Sequence, residues 1–182
     1  MHAKYSDPTI IEKQDWIKVH LMCGVKTNVV TSVEISGRYG GDSPYFTPLV
    51  ESTSRNFVMN QVSADKAYSS EKNLKLVLVK AAMPYIAFKS NANAKDKRQS
   101  SVWKRMFHFY QYNQERFMAN YHKSSNVETT FSMIKAKFGE RLRSKSKTAQ
   151  VNEVLCKILC HNICCLIQSI YELDVEPTFW IE

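Results

Sequence analysis

Glycine and proline are scarce, five of each in 182 residues, which excludes a collagen-like or linker-dominated chain. No stretch reaches the ~18 uninterrupted apolar residues of a membrane-spanning helix. The most apolar segment, 151–173, is broken by Asn152, Glu153, Lys157, His161, Asn162 and Gln168, so no membrane partner is expected. Residues 1–15 are polar and charged and lack the apolar centre of a secretory leader. Cysteine comes to an odd five, four of them crowded into Cys156–Cys165. That is a poor disulfide framework and points to a reduced, cytoplasmic protein. The C-x2-C pairs usual in zinc sites are lacking too.

What is present is a foldable chain. Hydrophobic residues make up 44 % and aromatics 12 %, which excludes global disorder, and the length suits a single domain over 1–182. Lysine and arginine outnumber aspartate and glutamate 25 to 17, a net charge of +8. The sequence pI near 9.2 suggests a polyanionic partner, although many ordinary globular chains are as basic.

Two runs, Trp16–Val25 and Thr27–Ser36, alternate apolar and polar residues about a short connection containing Gly24, which predicts an antiparallel hairpin. After a glycine-rich break, Asp42 or Ser43 is placed to cap a helix with Pro44 in its first turn. A buried strand is expected over Phe57–Ala64, ending at Asp65. A helix carrying Leu74, Val77, Leu78 and Ala81 follows, then a strand over Met83–Phe88. Residues 89–100 read as a basic loop. Helices are expected over Val102–Tyr121, Ser125–Phe138 and 148–173, with Gly139 ending the second. Alternating strands and helices predict an α/β fold, a mixed sheet with helices on both faces.

Four groups of residues could carry chemistry. Asp65 falls at the carboxyl end of a buried strand, where open α/β sheets bind ligands; its ordinary alternative is a cap for the next turn. Glu128 lies early in an amphipathic helix whose apolar face is Val127, Phe131, Ile134 and Phe138, with Lys135 two turns on along the same side. The ordinary reading there is a solvated helix face. Two carboxylates from distant elements are the minimum for divalent-metal chemistry on phosphate esters. Basic residues cluster as Lys135, Lys137, Arg141, Arg143, Lys145 and Lys147, and again as Lys89, Lys95, Lys97, Arg98, Lys104 and Arg105. Trp103, Phe107, Tyr110 and Tyr112 interleave with the second set, as in surfaces that bind phosphates and stack bases, though Phe107 and Tyr110 suit a helix core. Finally, Cys156, Cys160 and Cys164 repeat every fourth residue beside His161. Small cysteines in a helix core are the simpler reading of that row.

Three segments together resemble the back part of the DDE transposases of bacterial and archaeal insertion sequences. WIKVHLMCGVKTNVVTSVEIS is similar to the family's strand pair after the first catalytic Asp. VSADKAYSS is similar to the segment of the second Asp, here Asp65. YHKSSNVETTFSMIKAKFGERLRS is similar to the helix of the catalytic Glu, here Glu128. The family's Tyr-x2-Arg-x3-Glu-x6-Lys signature falls on Tyr121, Glu128 and Lys135, with Ser124 at the Arg position beside Lys123; Ala67 stands where a Gly often follows the Asp-Lys pair. The resemblance covers about residues 16–170.

The resemblance implies a ribonuclease-H-like fold lacking its first strand. It implies cleavage and joining of DNA at element ends with Mg²⁺ or Mn²⁺ held by Asp65 and Glu128. Tyr121, Lys123, Lys135, Lys137, Arg141 and Arg143 are then the DNA contacts. A homodimer on paired ends follows from the resemblance alone. No buried strand with the first Asp is read in MHAKYSDPTIIEKQD: Asp7 precedes Pro8 and Asp15 lies at the wrong edge. On this reading the chain is an N-terminally truncated transposase, inactive alone. The alternative is a non-catalytic basic DNA-binding module, and a third reading is a cysteine-rich metal or redox domain on the last helix.

Overall fold

The computed structural model describes residues 17–95, 97 and 99–174. The readings made for Met1–Trp16, including Asp7 and Asp15, and for Arg98 lie outside the described residues.

The two alternating runs form β1 (Ile17–Cys23) and β2 (Val30–Gly37). They pair antiparallel from Ile17↔Gly37 to Cys23↔Val30, with a shift at Met22/Cys23. Their turn closes through Gly24 N–H to Val29 O and Asn28 N–H to Gly24 O, both 2.9 Å. A side chain at Gly24 would have to displace the Thr27 hydroxyl, which lies 2.6 Å from where a Cβ would stand. Asn28 takes a left-handed φ of 56°, which Asn tolerates better than most residues. Helix α1 (Ser43–Asn56) follows with Pro44 in its first turn, and Phe46, Leu49 and Val50 turn inward. Asp42 holds the cap position, but its carboxylate pairs with Lys18 rather than capping.

The strand expected over Phe57–Ala64 is shorter. β3 spans Gln61–Ala64, and Phe57 and Val58 are exposed. Its partner β4 (Met83–Ile86) is equally short, and the two pair parallel in register from Gln61↔Met83 to Ala64↔Ile86. Helix α2 (Glu71–Val79) connects them, capped by Ser70 Oγ accepting from Asn73 N–H. One continuous mixed sheet is not formed among the described residues. The strands make two separate pairs, β1–β2 and β3–β4, because no described strand hydrogen-bonds to the free edges of β1 and β3. The mixed α/β character stands.

The helix expected over Val102–Tyr121 is two helices, α3 (Ser101–Tyr112) and α4 (Gln114–Tyr121), meeting at Asn113 with φ −122° and ψ 44°. Aromatic packing explains the break. The rings of Tyr110 and Phe117 lie 5.0 Å apart, whereas two turns of straight helix separate such positions by about 10 Å. Helix α5 (Asn126–Phe138) ends at Gly139, φ 76°. Helix α6 (Lys147–Leu173) starts where Ser146 Oγ accepts from Ala149 N–H.

Two clusters form the core. Under β3–β4 lie Phe46, Val50, Val62, Leu74, Val77, Ile86, Phe88, Met106 and Phe107. Beside β1–β2, Leu21, Val30, Ile134 and Ile158 gather with Val127, Phe131 and Phe138, the apolar face expected for α5. Helix α6 meets β2 through Asn162, whose Oδ1 accepts from Val30 N–H and whose Nδ2 donates to Val30 O, both at 2.8 Å. The cysteine row does not enter the core. Cys156 and Cys160 are exposed and Cys165 is buried, because Ile158, His161 and Cys165 form the inward stripe. By length and composition α6 passes as a membrane span, with a mean hydropathy of 1.5, yet that inward stripe is packed on protein.

Candidate active site

A cleft of about 230 Å³ opens between the end of β3 and the start of α5, lined by Asp65, Tyr121, His122, Ser124, Ser125, Val127 and Glu128. Asp65 is the first residue after β3, with extended backbone (φ −64°, ψ 158°) at the start of a 3-10 turn. Its carbonyl accepts from Tyr68 N–H at 2.9 Å, while its carboxylate makes no cap bond. The capping alternative therefore does not occupy this side chain. Glu128 stands in the first turn of α5, where the helix dipole favours an anion. Both carboxylates are exposed.

Two contacts bring these elements together. Ser63 on β3 donates its hydroxyl to Asn120 O at 2.8 Å, which draws the end of α4 and Tyr121 to the end of β3. The phenol of Tyr121 is pushed above its usual range by burial, then by the Asp65 charge and by Tyr110. On the far side of α5, Asn126 Nδ2 donates to Asn28 Oδ1 at 2.7 Å and to Gly24 O at 3.3 Å. Thr130, one turn on and fully buried, directs its hydroxyl to Asn126 O at 2.9 Å and to Asn28 Oδ1 at 3.5 Å. His161 Nε2 holds Asn28 O at 2.9 Å. Residues 126 and 130 share one side of the helix, which leaves Glu128 on the other.

The basic residues expected to contact DNA fall into two sets. Tyr121 lines the cleft. Lys123 donates to Asn120 Oδ1 at 2.6 Å. Lys135 does not share the groove with Glu128; its ammonium is held by Glu140 at 2.9 Å, where α5 ends. Lys137, Arg141 and Arg143 are exposed. The 139–145 segment carrying the two arginines is clamped to α6. Glu153 accepts from the N–H groups of Ser144 and Arg143, bonds that hold its carboxyl down to about 2, and Lys157 donates to Gly139 O and Arg141 O.

His122 and Ser125 belong to the cleft without having been singled out from the sequence. Their only signal is a polar tetrad, His122–Ser125, between two helices. The Asn28 network left no signal in spacing, because its members lie about 100 residues apart. Among the described residues, no group of three or more His, Cys, Asp or Glu side chains could hold a metal ion, and the cysteines of α6 form no such group.

The fit to a divalent cation rests on donor chemistry. Asp65 and Glu128 offer hard carboxylate oxygens, Ser124 and Ser125 offer hydroxyls, and among the described residues no Lys or Arg lines the cleft, a set that suits Mg²⁺ or Mn²⁺. No curated protein and no solved structure matches the chain. The family model of the transposase DDE domain does match, over residues 3–163, from ahead of β1 into α6. The chain belongs to the transposase DDE domain family, and its role lies in DNA transposition.

Proposed function

We propose that Asp65 and Glu128 are the metal-binding carboxylates of a ribonuclease-H-like transposase site. The observation that supports this most is their meeting in one cleft from distant elements, the end of a strand and the first turn of a helix. A bound Mg²⁺ or Mn²⁺ supplies Lewis-acid activation of a phosphodiester. The chain's own residues do the rest. Asp65 and Glu128 hold the cation, and Tyr121 offers a phenol that burial, and then the Asp65 charge, keep protonated as a donor to a phosphate oxygen. Lys123, Lys135, Lys137, Arg141 and Arg143 form the basic surface along which the DNA backbone lies. A cytoplasmic location follows from that substrate.

The test is Mn²⁺ binding followed by electron paramagnetic resonance. The full chain should bind Mn²⁺, and Asp65→Asn and Glu128→Gln should each weaken it at least tenfold without lowering Tm. Unchanged binding in both variants would remove the carboxylate pair from the site. The second reading, a non-catalytic DNA-binding module, is favoured by the exposed Lys137, Arg141 and Arg143. On that reading Mn²⁺ does not bind in the cleft, and Glu128→Gln leaves DNA affinity unchanged.

A further inference from the structure

Cysteine is among the residue types most often fully buried, and its reactivity more than its packing decides where it is kept. On α6, Cys156 and Cys160 are exposed, and neither the core nor the cleft uses them. They stand four residues apart inside a continuous helix of 27 residues, so both leave the same face one turn apart. The other donors nearby are committed. Lys157 turns its ammonium to Gly139 O and Arg141 O at 3.1 and 2.9 Å. Glu153 accepts from the N–H groups of Arg143 and Ser144. His161 is fully buried, with Nε2 on Asn28 O. The face is left with sulfur.

We propose that Cys156 and Cys160 form a two-thiol site for a soft monovalent ion of the class of Cu(I), bound across one turn of α6. Separation decides what the pair can do. Residues four apart on a helix hold their Cβ atoms about 5–6 Å apart, whereas a disulfide needs about 3.5–4.5 Å, so the pair is not set to close on itself. A metal–thiolate bond is about 2.3 Å long, so an ion in line between two sulfurs holds them roughly 4.6 Å apart. Side chains leaning together from those Cβ positions span that without bending the helix.

Coordination number then selects the ion. Structural zinc takes four protein ligands, and among the described residues no group of three or more His, Cys, Asp or Glu side chains could hold a metal ion. Two thiolates in line suit Cu(I), which soft sulfur ligands select. Cys164 is half-buried and Cys165 buried, which leaves the exposed pair as the ligands. Binding releases two thiol protons to solvent and changes no oxidation state. The bound unit carries one negative charge, which a chain of +8 favours. Leu155, Leu159 and Ile163, exposed on the same stretch of helix, supply the apolar shell that limits solvent access to a metal site. Mg²⁺ and Mn²⁺ go to oxygen donors, so this site and the cleft do not compete.

Anaerobic competition for Cu(I) between the full chain and the chromophoric chelator bicinchoninate tests this without reference to the cleft. Wild type should withdraw a single Cu(I), and X-ray absorption at the copper edge should show sulfur neighbours alone. Cys156→Ser and Cys160→Ser should each weaken binding at least ~100-fold, more than the loss of an outer partner of a metal site costs, with helix content and Tm unchanged. Cys156→Ala and Cys160→Ala repeat the comparison should a serine variant misfold. Cys164→Ser should bind as wild type does, and excess Zn²⁺ should leave the copper in place. Failure to withdraw Cu(I), or binding that survives both serine substitutions, would overturn the proposal. So would an equal loss in Cys164→Ser, or displacement of the copper by Zn²⁺.

Discussion

His20 lies on the polar side of an alternating run, and alternation alone places it toward solvent. It is buried instead, 5 % exposed, because α1 covers that side of the hairpin. Its ring stacks on Tyr45 at 4.3 Å between centroids and 12° between planes, and its Nε2 is 2.9 Å from Ser36 Oγ. Burial lowers its pKa below the ordinary 6.5, outweighing the opposite pull of Asp42; Lys18 lowers it further and Glu34 raises it. Protonation is thus easier in the unfolded chain than in the folded one. The stabilisation from keeping His20 neutral is complete above about pH 7.5 and declines as pH falls through the unfolded value near 6.5. An NMR titration should place the His20 midpoint below 6.5, and Tm should fall between pH 7.5 and 5.5, less so in His20→Gln. A midpoint above 6.5 would reverse the sign and show that Asp42 dominates. Alternation located both faces of the hairpin, but could not show that helices cover both, since that depends on α1, α5 and α6 packing on it.

The elements that position the site were legible to different degrees. Asp65 after a strand and Glu128 in the first turn of a helix stand where periodicity placed them, because both patterns are local. The break at Asn113 was not legible, since no glycine or proline marks it and the contact of Tyr110 with Phe117 across it exists only once the chain has turned back. The rotational setting of α5 was equally hidden. It is fixed by the Asn28 carboxamide, which accepts from Asn126 and faces Thr130 on the side of the helix away from Glu128. Asn28→Gly keeps the left-handed backbone without strain but removes that acceptor, at a cost of about 1 kcal/mol. Mn²⁺ affinity should fall several-fold, and amide exchange should quicken over residues 126–134. Asn28→Asp keeps an acceptor at the same place and should restore both readouts. Faster exchange with unaltered Mn²⁺ affinity would show that the network holds α5 without aiming Glu128.

At the scale of the molecule, the net charge of +8 suggested a polyanionic partner, but composition could not say which cations are free to meet it. The structure divides them. Lys135 is held by Glu140 and Lys157 by backbone carbonyls and Glu153, whereas Arg141 and Arg143 project from a segment whose backbone is clamped to α6. A pinned backbone presents the two guanidinium groups with little ordering left to occur on binding, so they should count fully toward phosphate contact. Each phosphate neutralised adds about −0.9 to the slope of log K against log salt on duplex DNA. Arg141→Gln with Arg143→Gln should therefore make the slope shallower by roughly 2 and weaken binding uniformly across DNA sequences. Lys135→Gln, which removes a cation already neutralised by Glu140, should change the slope by less than either arginine. Glu153→Gln should leave the charge of the arginines intact and still weaken binding, because the loop loses the carboxylate that fixes it. An unchanged slope in the double arginine variant would move the DNA path off the α5–α6 face, toward the second basic group around Lys89 and Lys104.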